Sequence, residues 1–317
     1  MMEKTFNAEL QERTREYLAT SGVSQAKLAQ KLGMNGSTTL SRWLSSSYSG
    51  DVEKIERALE EFFRVESATD AAKEKAAPYR PAGDYVPTSI SEDVYEGIKH
   101  CQLHRCVTVL HGDAGVGKTK GAEKFLRENP SSTIYITLSP ATSDLNAVCK
   151  KLAKALKVPV RNRADMMEEV RARLAGTNKV IVVDEAQFLK LPAIDELRTL
   201  SDTDIETGTP GNGVCFIGNS EIHDRIQGKA QAEFAQLFTR IRMPKRYLAS
   251  RITVEDIRKL FPALNGEPEL EFLLGIARSV YGIRMAQNIY ENAIDLEDVS
   301  CEGLRRVAKA MSVGSTT

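Results

Sequence analysis

Gly112-Asp113-Ala114-Gly115-Val116-Gly117-Lys118-Thr119 satisfies every fixed position of the pattern G-x-x-x-x-G-K-[ST]. An apolar, β-branched run, Cys106–Leu110, leads into it and a helical pattern follows, which is the strand–loop–helix setting the pattern requires. Glycines let the backbone curl so that successive N–H groups face phosphates at a helix N-terminus, where the helix dipole also favours negative charge. In this loop, running from Gly112 through Asp113, Ala114, Gly115, Val116 and Gly117, Lys118 is expected to reach the β and γ phosphates of ATP. The Thr119 hydroxyl is expected to ligate Mg²⁺.

Downstream, Val180-Ile181-Val182-Val183-Asp184-Glu185 is an apolar strand that ends in two carboxylates. Ligands of parallel sheets sit at the carboxyl ends of strands. Asp184 is therefore expected to hold Mg²⁺ through water, and Glu185 to orient or deprotonate a water in line with the γ phosphate. Val214-Cys215-Phe216-Ile217-Gly218-Asn219 is a second buried strand with a polar end, expected between the other two in space, where Asn219 can orient the same water. Further strands are expected at Thr133–Leu138 and Arg240–Met243. Strands alternating with helices predict an α/β fold with a parallel sheet. From about residue 252 the strands stop, and Ile257, Leu260, Phe272, Leu273, Ile276, Val280, Ile289 and Leu304 predict a small helical bundle.

The phosphate loop, the Asp184-Glu185 pair, Asn219, Arg240 in Leu237-Phe238-Thr239-Arg240-Ile241, and Gly282-Ile283-Arg284 together resemble the successive motifs of AAA+ ATPases. The resemblance implies a P-loop ATPase core in which Asn219 is sensor 1 and Arg284, on a lid helix, is sensor 2. It also implies that Arg240 is an arginine finger reaching the ATP of a neighbouring subunit. A guanidinium offers a planar fork of donors to phosphate oxygens, and supplying it in trans makes hydrolysis depend on assembly. Arg242 and Arg225 are the other candidates for the finger.

Upstream, the spacing predicts four short helices over 7–19, 25–32, 37–45 and 52–63, with Ser24 capping the second and Gly33 ending it. Gln25 to Asn35 resembles the first half of a repressor-like helix-turn-helix, with one more residue between Gly33 and Leu40 than the common pattern. Ser21 to Gly50 holds three basic residues and no acidic ones, so a neutral total conceals a local positive field. Ser37, Thr38, Thr39 and Arg42 are the DNA-contact candidates there, whereas Trp43 is expected in the core. Ala, Lys, Glu and Tyr, punctuated by Pro78, Pro81, Gly83 and Pro87, predict a semi-extended linker. The expected division is a helix-turn-helix domain over 1–65, a linker over 66–88, an AAA+ core over 89–250 and a C-terminal helical lid over 251–317.

With 317 residues, 42% hydrophobic and 27% charged, the chain is long enough for two or three domains and carries no apolar run near the length of a membrane span. A secretory signal is likewise absent from the pattern, and five scattered cysteines without a C-x-x-C pair predict reduced thiols in a cytoplasm. Forty-three basic and forty-three acidic residues cancel, so affinity for nucleic acid must come from local patches. His100, Cys101, His104 and Cys106 fit no usual zinc spacing.

Taken in order, the helix-turn-helix, the proline-bearing linker, the AAA+ core and the helical tail resemble the phage Mu B family of target-capture ATPases and their transposon-encoded relatives. The resemblance implies ATP-driven assembly into a helical homo-oligomer or filament on double-stranded DNA, largely without sequence preference. It also implies presentation of that DNA to a transposase, which stimulates hydrolysis and disassembly. The DNA path is expected along Lys150, Lys151, Lys154 and Lys157, of which Lys150, Lys154 and Lys157 share one helix face; Arg305, Arg306 and Lys309 form a weaker patch. Two other readings stay open: a helicase loader with a protein client, and a sequence-specific transcription regulator with an ATPase switch.

Overall fold

The computed structural model describes residues 6–81, 83–159, 162–227 and 241–313, with the side chains of 225–227 excepted. The chain divides into two compact units, Met1–Pro78 and Tyr79–Thr317.

The first unit is helical: α1 (Ala8–Thr20), α2 (Gln25–Lys31), α3 (Ser37–Leu44) and α4 (Val52–Ala76). Polar side chains at three helix starts accept the otherwise unpaired first-turn N–H groups: Asn7 from Leu10, Ser24 from Lys27 and Asp51 from Lys54. Leu10, Leu28, Leu40, Trp43, Ile55, Leu59 and Phe63 close one core among these helices. Trp43 is fully buried, as expected of a lone Trp in a small helical unit, and its indole N–H finds Glu56 at 3.2 Å. The structure differs from the expected linker. Residues 65–76 continue α4, because Ala, Glu and Lys there favour helix and no Gly or Pro interrupts until Pro78.

The second unit begins with α5 (Ser89–His104) and continues β1 (Val107–Gly112), α6 (Lys118–Glu128), β2 (Thr133–Thr137), α7 (Leu145–Ala155), α8 (Arg163–Leu174), β3 (Val180–Asp184), α9 (Leu191–Thr199), β4 (Gly213–Gly218), α10 (Ser220–Gln227) and β5 (Lys245–Tyr247). The strands form one sheet in the order β2-β3-β4-β1-β5, and every pair is parallel. β1, β3 and β4 are buried along their whole length, which is why β3 and β4 read as apolar runs, whereas β1 also buries the polar Thr108 and His111.

The fifth strand was expected at Arg240–Met243 and lies instead at Lys245–Tyr247. Ile241 makes an isolated bridge to Val107, and Pro244, lacking an N–H, separates it from the pairing that resumes at Lys245 against Leu110. The remaining helices, α11 (Val254–Leu260), α12 (Glu267–Arg278), α13 (Gly282–Asp295) and α14 (Cys301–Ala310), form the helical tail. Val280, expected in the core of that bundle, is 90% exposed because α12 ends at Arg278 and the turn carries it off the apolar face.

Candidate functional site

β1 delivers the chain to the phosphate loop and α6 leaves from it, so the free N–H groups at the start of α6 face the same space as the loop. The loop is tethered at its base, where Asp113 donates its N–H to the Tyr247 carbonyl at 2.9 Å and accepts from the Ala249 N–H at 2.7 Å. Lys118 Nζ donates to the Gly112 and Asp113 carbonyls at 3.0 and 2.6 Å. Burial lowers its pKa, and the carboxylates of Asp184, Asp113 and Glu185 act against that shift.

The sheet order places β4 between β1 and β3, as expected for the strand ending at Asn219. Thr119 Oγ1 donates to Asp184 Oδ2 at 3.1 Å, which brings together the two residues expected to serve Mg²⁺. One hydroxyl and one carboxylate are hard oxygen donors, the set suited to an ion that keeps several waters and takes its other ligands from substrate phosphates. The residues present therefore fit the metal. Tyr135, from β2, donates to the same carboxylate oxygen at 2.6 Å, and burial followed by the Asp184 charge raises the pKa of its phenol. Glu185 follows with φ +56°, in the left-handed region, and its own N–H is held by Asp184 Oδ1 at 2.9 Å. Its carboxylate accepts from the amide of Gln187, and Gln187 Oε1 accepts from the Asn219 N–H at 3.3 Å. Asn219 Oδ1 accepts from the Glu221 N–H at 2.9 Å, which leaves the amide NH₂ of Asn219 as the end that can donate to a phosphate oxygen.

The helical tail reaches the loop through a main-chain contact. Ile283 donates its N–H to the Gly115 carbonyl at 3.0 Å. Gly282 permits this approach: its φ is +68°, and a Cβ there would lie 2.7 Å from the Ala114 carbonyl oxygen. Arg284 follows on the same turn, exposed, with its Cβ 3.8 Å from where a Cβ on Gly115 would stand. Arg240 lies outside the described residues, as does the side chain of Arg225; Arg242 pairs its N–H with the Val107 carbonyl at 3.0 Å.

Away from the nucleotide loop, Lys150, Lys154 and Lys157 are exposed, while Lys151 is half-buried. The opposite face of α7 buries Val148, Cys149, Leu152 and Ala153, so Lys150 and Lys154 lie on the solvent face of a packed helix; Lys157, expected on the same face, instead follows the end of α7 at Ala155, where its left-handed backbone (φ +57°) takes it off the helix. In the first unit Thr38 and Arg42 are exposed, and Ser37 and Thr39 are half-buried. Lys31, one of the three basic residues there, is engaged by Glu66 at 3.4 Å, which reduces the free positive charge of that face.

Tyr135 and Gln187 escaped sequence reasoning, since each acts through a neighbour reached only in the folded sheet. His111 was also missed: it is 3% exposed just ahead of the loop, its ring stacked on His223 at 4.2 Å, and its Nδ1 has no hydrogen-bond partner among the described residues. Burial, then His223 and Arg246, push its pKa down to about 4.

Residues 102–226 match the family described as AAA domain. The chain is 23% identical over 281 residues to the "Mu-like prophage FluMu DNA transposition protein B" of Haemophilus influenzae, covering 87% of this chain and 93% of that one. It is 27% identical over 252 residues to the "ATP-dependent target DNA activator B" of Escherichia phage Mu, covering 78% of this chain and 76% of the relative. The fold is shared with solved AAA+ structures: Cdc6p from Pyrobaculum aerophilum has a TM-score of 0.56 at 15% identity, covering 72% of this chain and 69% of the other. The Orc1 protein of Aeropyrum pernix, solved in complex with DNA, has a TM-score of 0.52 at 16% identity, covering 72% and 66%. No described helix is long and apolar enough to cross a membrane. Residues 102–226 thus form an AAA domain, in a chain homologous over most of its length to the B proteins of Mu-like transposing phages.

Proposed function

We propose that the protein is an ATP-dependent, DNA-binding AAA+ ATPase of DNA transposition: it assembles on target DNA, holds it for a transposase, and leaves when ATP is hydrolysed. The observation that carries this reading is the convergence of the phosphate loop, the Asp184-Glu185 strand end, Asn219 and the turn at Gly282–Arg284 around one end of the sheet. The printed names of the relatives, an ATP-dependent target DNA activator among them, supply the setting.

In this reading Lys118 exchanges its loop carbonyls for β and γ phosphate oxygens, a trade of neutral acceptors for charged ones. Thr119 and Asp184 would hold Mg²⁺, which would supply positive charge against the charge developing on the phosphates. Glu185 orients the attacking water and takes its proton, while the Asn219 amide and the Arg284 guanidinium contact the γ phosphate. Arg240 completes the site of a neighbouring copy, so turnover follows assembly. Lys150 and Lys154, with Lys151 and Lys157 beside them, track the DNA backbone, and Ser37, Thr38, Thr39 and Arg42 add contacts from the helix-turn-helix.

The test is negative-stain microscopy of the protein with mixed-sequence duplex DNA in ATP, in ADP and without nucleotide, with Lys118→Ala as control. Regular filaments confined to ATP plus DNA, and lost in Lys118→Ala, are expected. Discrete particles in every state would sink the assembly reading and move the search to an operator sequence or a helicase client.

A further inference from the structure

Gln187 occupies a short turn, Ala186–Phe188, directly after β3, and is 9% exposed. Both ends of its amide are used. Its NH₂ donates to Glu185 Oε2 and its Oε1 accepts from the Asn219 N–H at 3.3 Å. Space for this bridge comes from Gly218, where a Cβ would lie 2.6 Å from Gln187 Oε1. The backbone of Glu185 is left-handed, at φ +56°, so the strand does not aim its side chain and an outside hold must do so. A buried amide that spans a carboxylate and the main chain of a neighbouring strand end links their positions.

We infer that Gln187 is a positioning residue for hydrolysis: by holding Glu185 Oε2 it presents Oε1 to the attacking water, and it passes any shift of Asn219 to that carboxylate. The inference rests on the ATPase reading above. Gln187 itself touches neither water nor phosphate; its effect runs through Glu185.

The experiment uses the full chain with magnesium ATP and mixed-sequence duplex DNA, comparing wild type, Gln187→Ala, Gln187→Glu, Glu185→Gln and the double variant Glu185→Gln/Gln187→Ala. Steady-state hydrolysis is measured beside direct binding of a fluorescent ATP analogue. Gln187→Ala is expected to lower kcat about 10- to 100-fold with analogue affinity held within about twofold, the pattern of a group needed in the transition state alone. In the Glu185→Gln background the same change is expected to cost nothing further, because both act through one carboxylate. Gln187→Glu, nearly isosteric, replaces the donating NH₂ with a carboxylate that cannot hold Glu185 Oε2 and is expected to lower kcat at least as far as Gln187→Ala.

An unchanged kcat in Gln187→Ala, additive losses in the double variant, or a wild-type kcat in Gln187→Glu each overturn the inference. A Gln187→Ala chain that weakens analogue binding as much as turnover overturns it too, in favour of a purely structural pin. Wild type that binds the analogue without hydrolysing ATP overturns the ATPase reading and this inference with it, whereas wild-type turnover with an indifferent Gln187→Ala overturns this inference alone.

Discussion

Asp256→Asn should cost the sheet-bearing unit about 3 kcal/mol. Asp256 is 2% exposed and sits in the first turn of α11. Its Oδ1 accepts from the Ser89 N–H at 2.7 Å, and its Oδ2 accepts from Ser89 Oγ, Thr253 N and Thr253 Oγ1 at 2.8, 2.9 and 2.9 Å. One carboxylate thus satisfies the starts of two helices, α5 beside the sheet and α11 in the helical tail. Whichever way an asparagine amide turns, its NH₂ meets a main-chain N–H. The two hydroxyls can rotate away, but one buried N–H is left without an acceptor, at about 1–3 kcal/mol, and the surviving bonds lose their charge assistance.

In a unit of this size that loss lowers Tm by about 6–12 °C, read by circular dichroism at neutral pH. Burial alone pushes the Asp256 carboxyl up; the hydrogen bonds from Thr253 and Ser89 outweigh it and hold the pKa below the ordinary carboxylate value. A depressed folded pKa gives stability that is complete above the unfolded value of about 4 and is lost as pH falls through the folded one. The gap between wild type and Asp256→Asn should therefore be constant from pH 8 to 5 and close below about pH 4. A variant within about 0.5 kcal/mol of wild type at neutral pH, or a gap indifferent to acid, would refute the reasoning.

Changing Lys150, Lys154 and Lys157 together to Ala should lower the slope of log affinity for duplex DNA against log salt by about 2–3, as expected for three lost phosphate contacts; an unchanged slope by fluorescence anisotropy removes DNA from this face. For His111, whose folded pKa of about 4 lies below the unfolded value of about 6.5, stability is full above the unfolded value and is lost as pH falls from there toward 4. His111→Phe should flatten that stretch of the urea-stability profile by up to about 3 kcal/mol, and an equally steep profile in the variant would show that other groups cause it. Tyr135→Phe removes one of the two side-chain donors on Asp184 Oδ2 and should raise the Mg²⁺ concentration for half-maximal hydrolysis about 3- to 10-fold; an unchanged Mg²⁺ titration would make Tyr135 a packing residue.

The phosphate loop was legible in sequence because phosphate binding dictates residue types at consecutive positions, and the flanking strand and helix are local. β3 and β4 were legible because burial on both faces leaves an unbroken apolar run. Where punctuation and propensity disagreed, punctuation misled. Pro78, Pro81 and Gly83 suggested a linker, yet the Ala, Glu and Lys before them extended α4 to Ala76. At the fifth strand the reverse held, since Ile241 and Met243 outweighed Pro244 in the reading while the backbone obeyed the proline. Tyr135 and Gln187 carry no local signature. Tyr135 lies 49 residues from Asp184, and only strand register brings the pair together.

β1 takes both of its neighbours from far downstream, pairing with β4 at Val107–His111 and with β5 at Leu110–Gly112. A chain emerging from the ribosome therefore completes the phosphate loop about a hundred residues before the strands that flank β1 exist. Until then β2 and β3 can pair with each other but not with β1, and β3 presents an open apolar edge. The capacity to bind nucleotide is thus acquired late in synthesis, and a chain cut short before β4 is an aggregation hazard rather than a weaker enzyme.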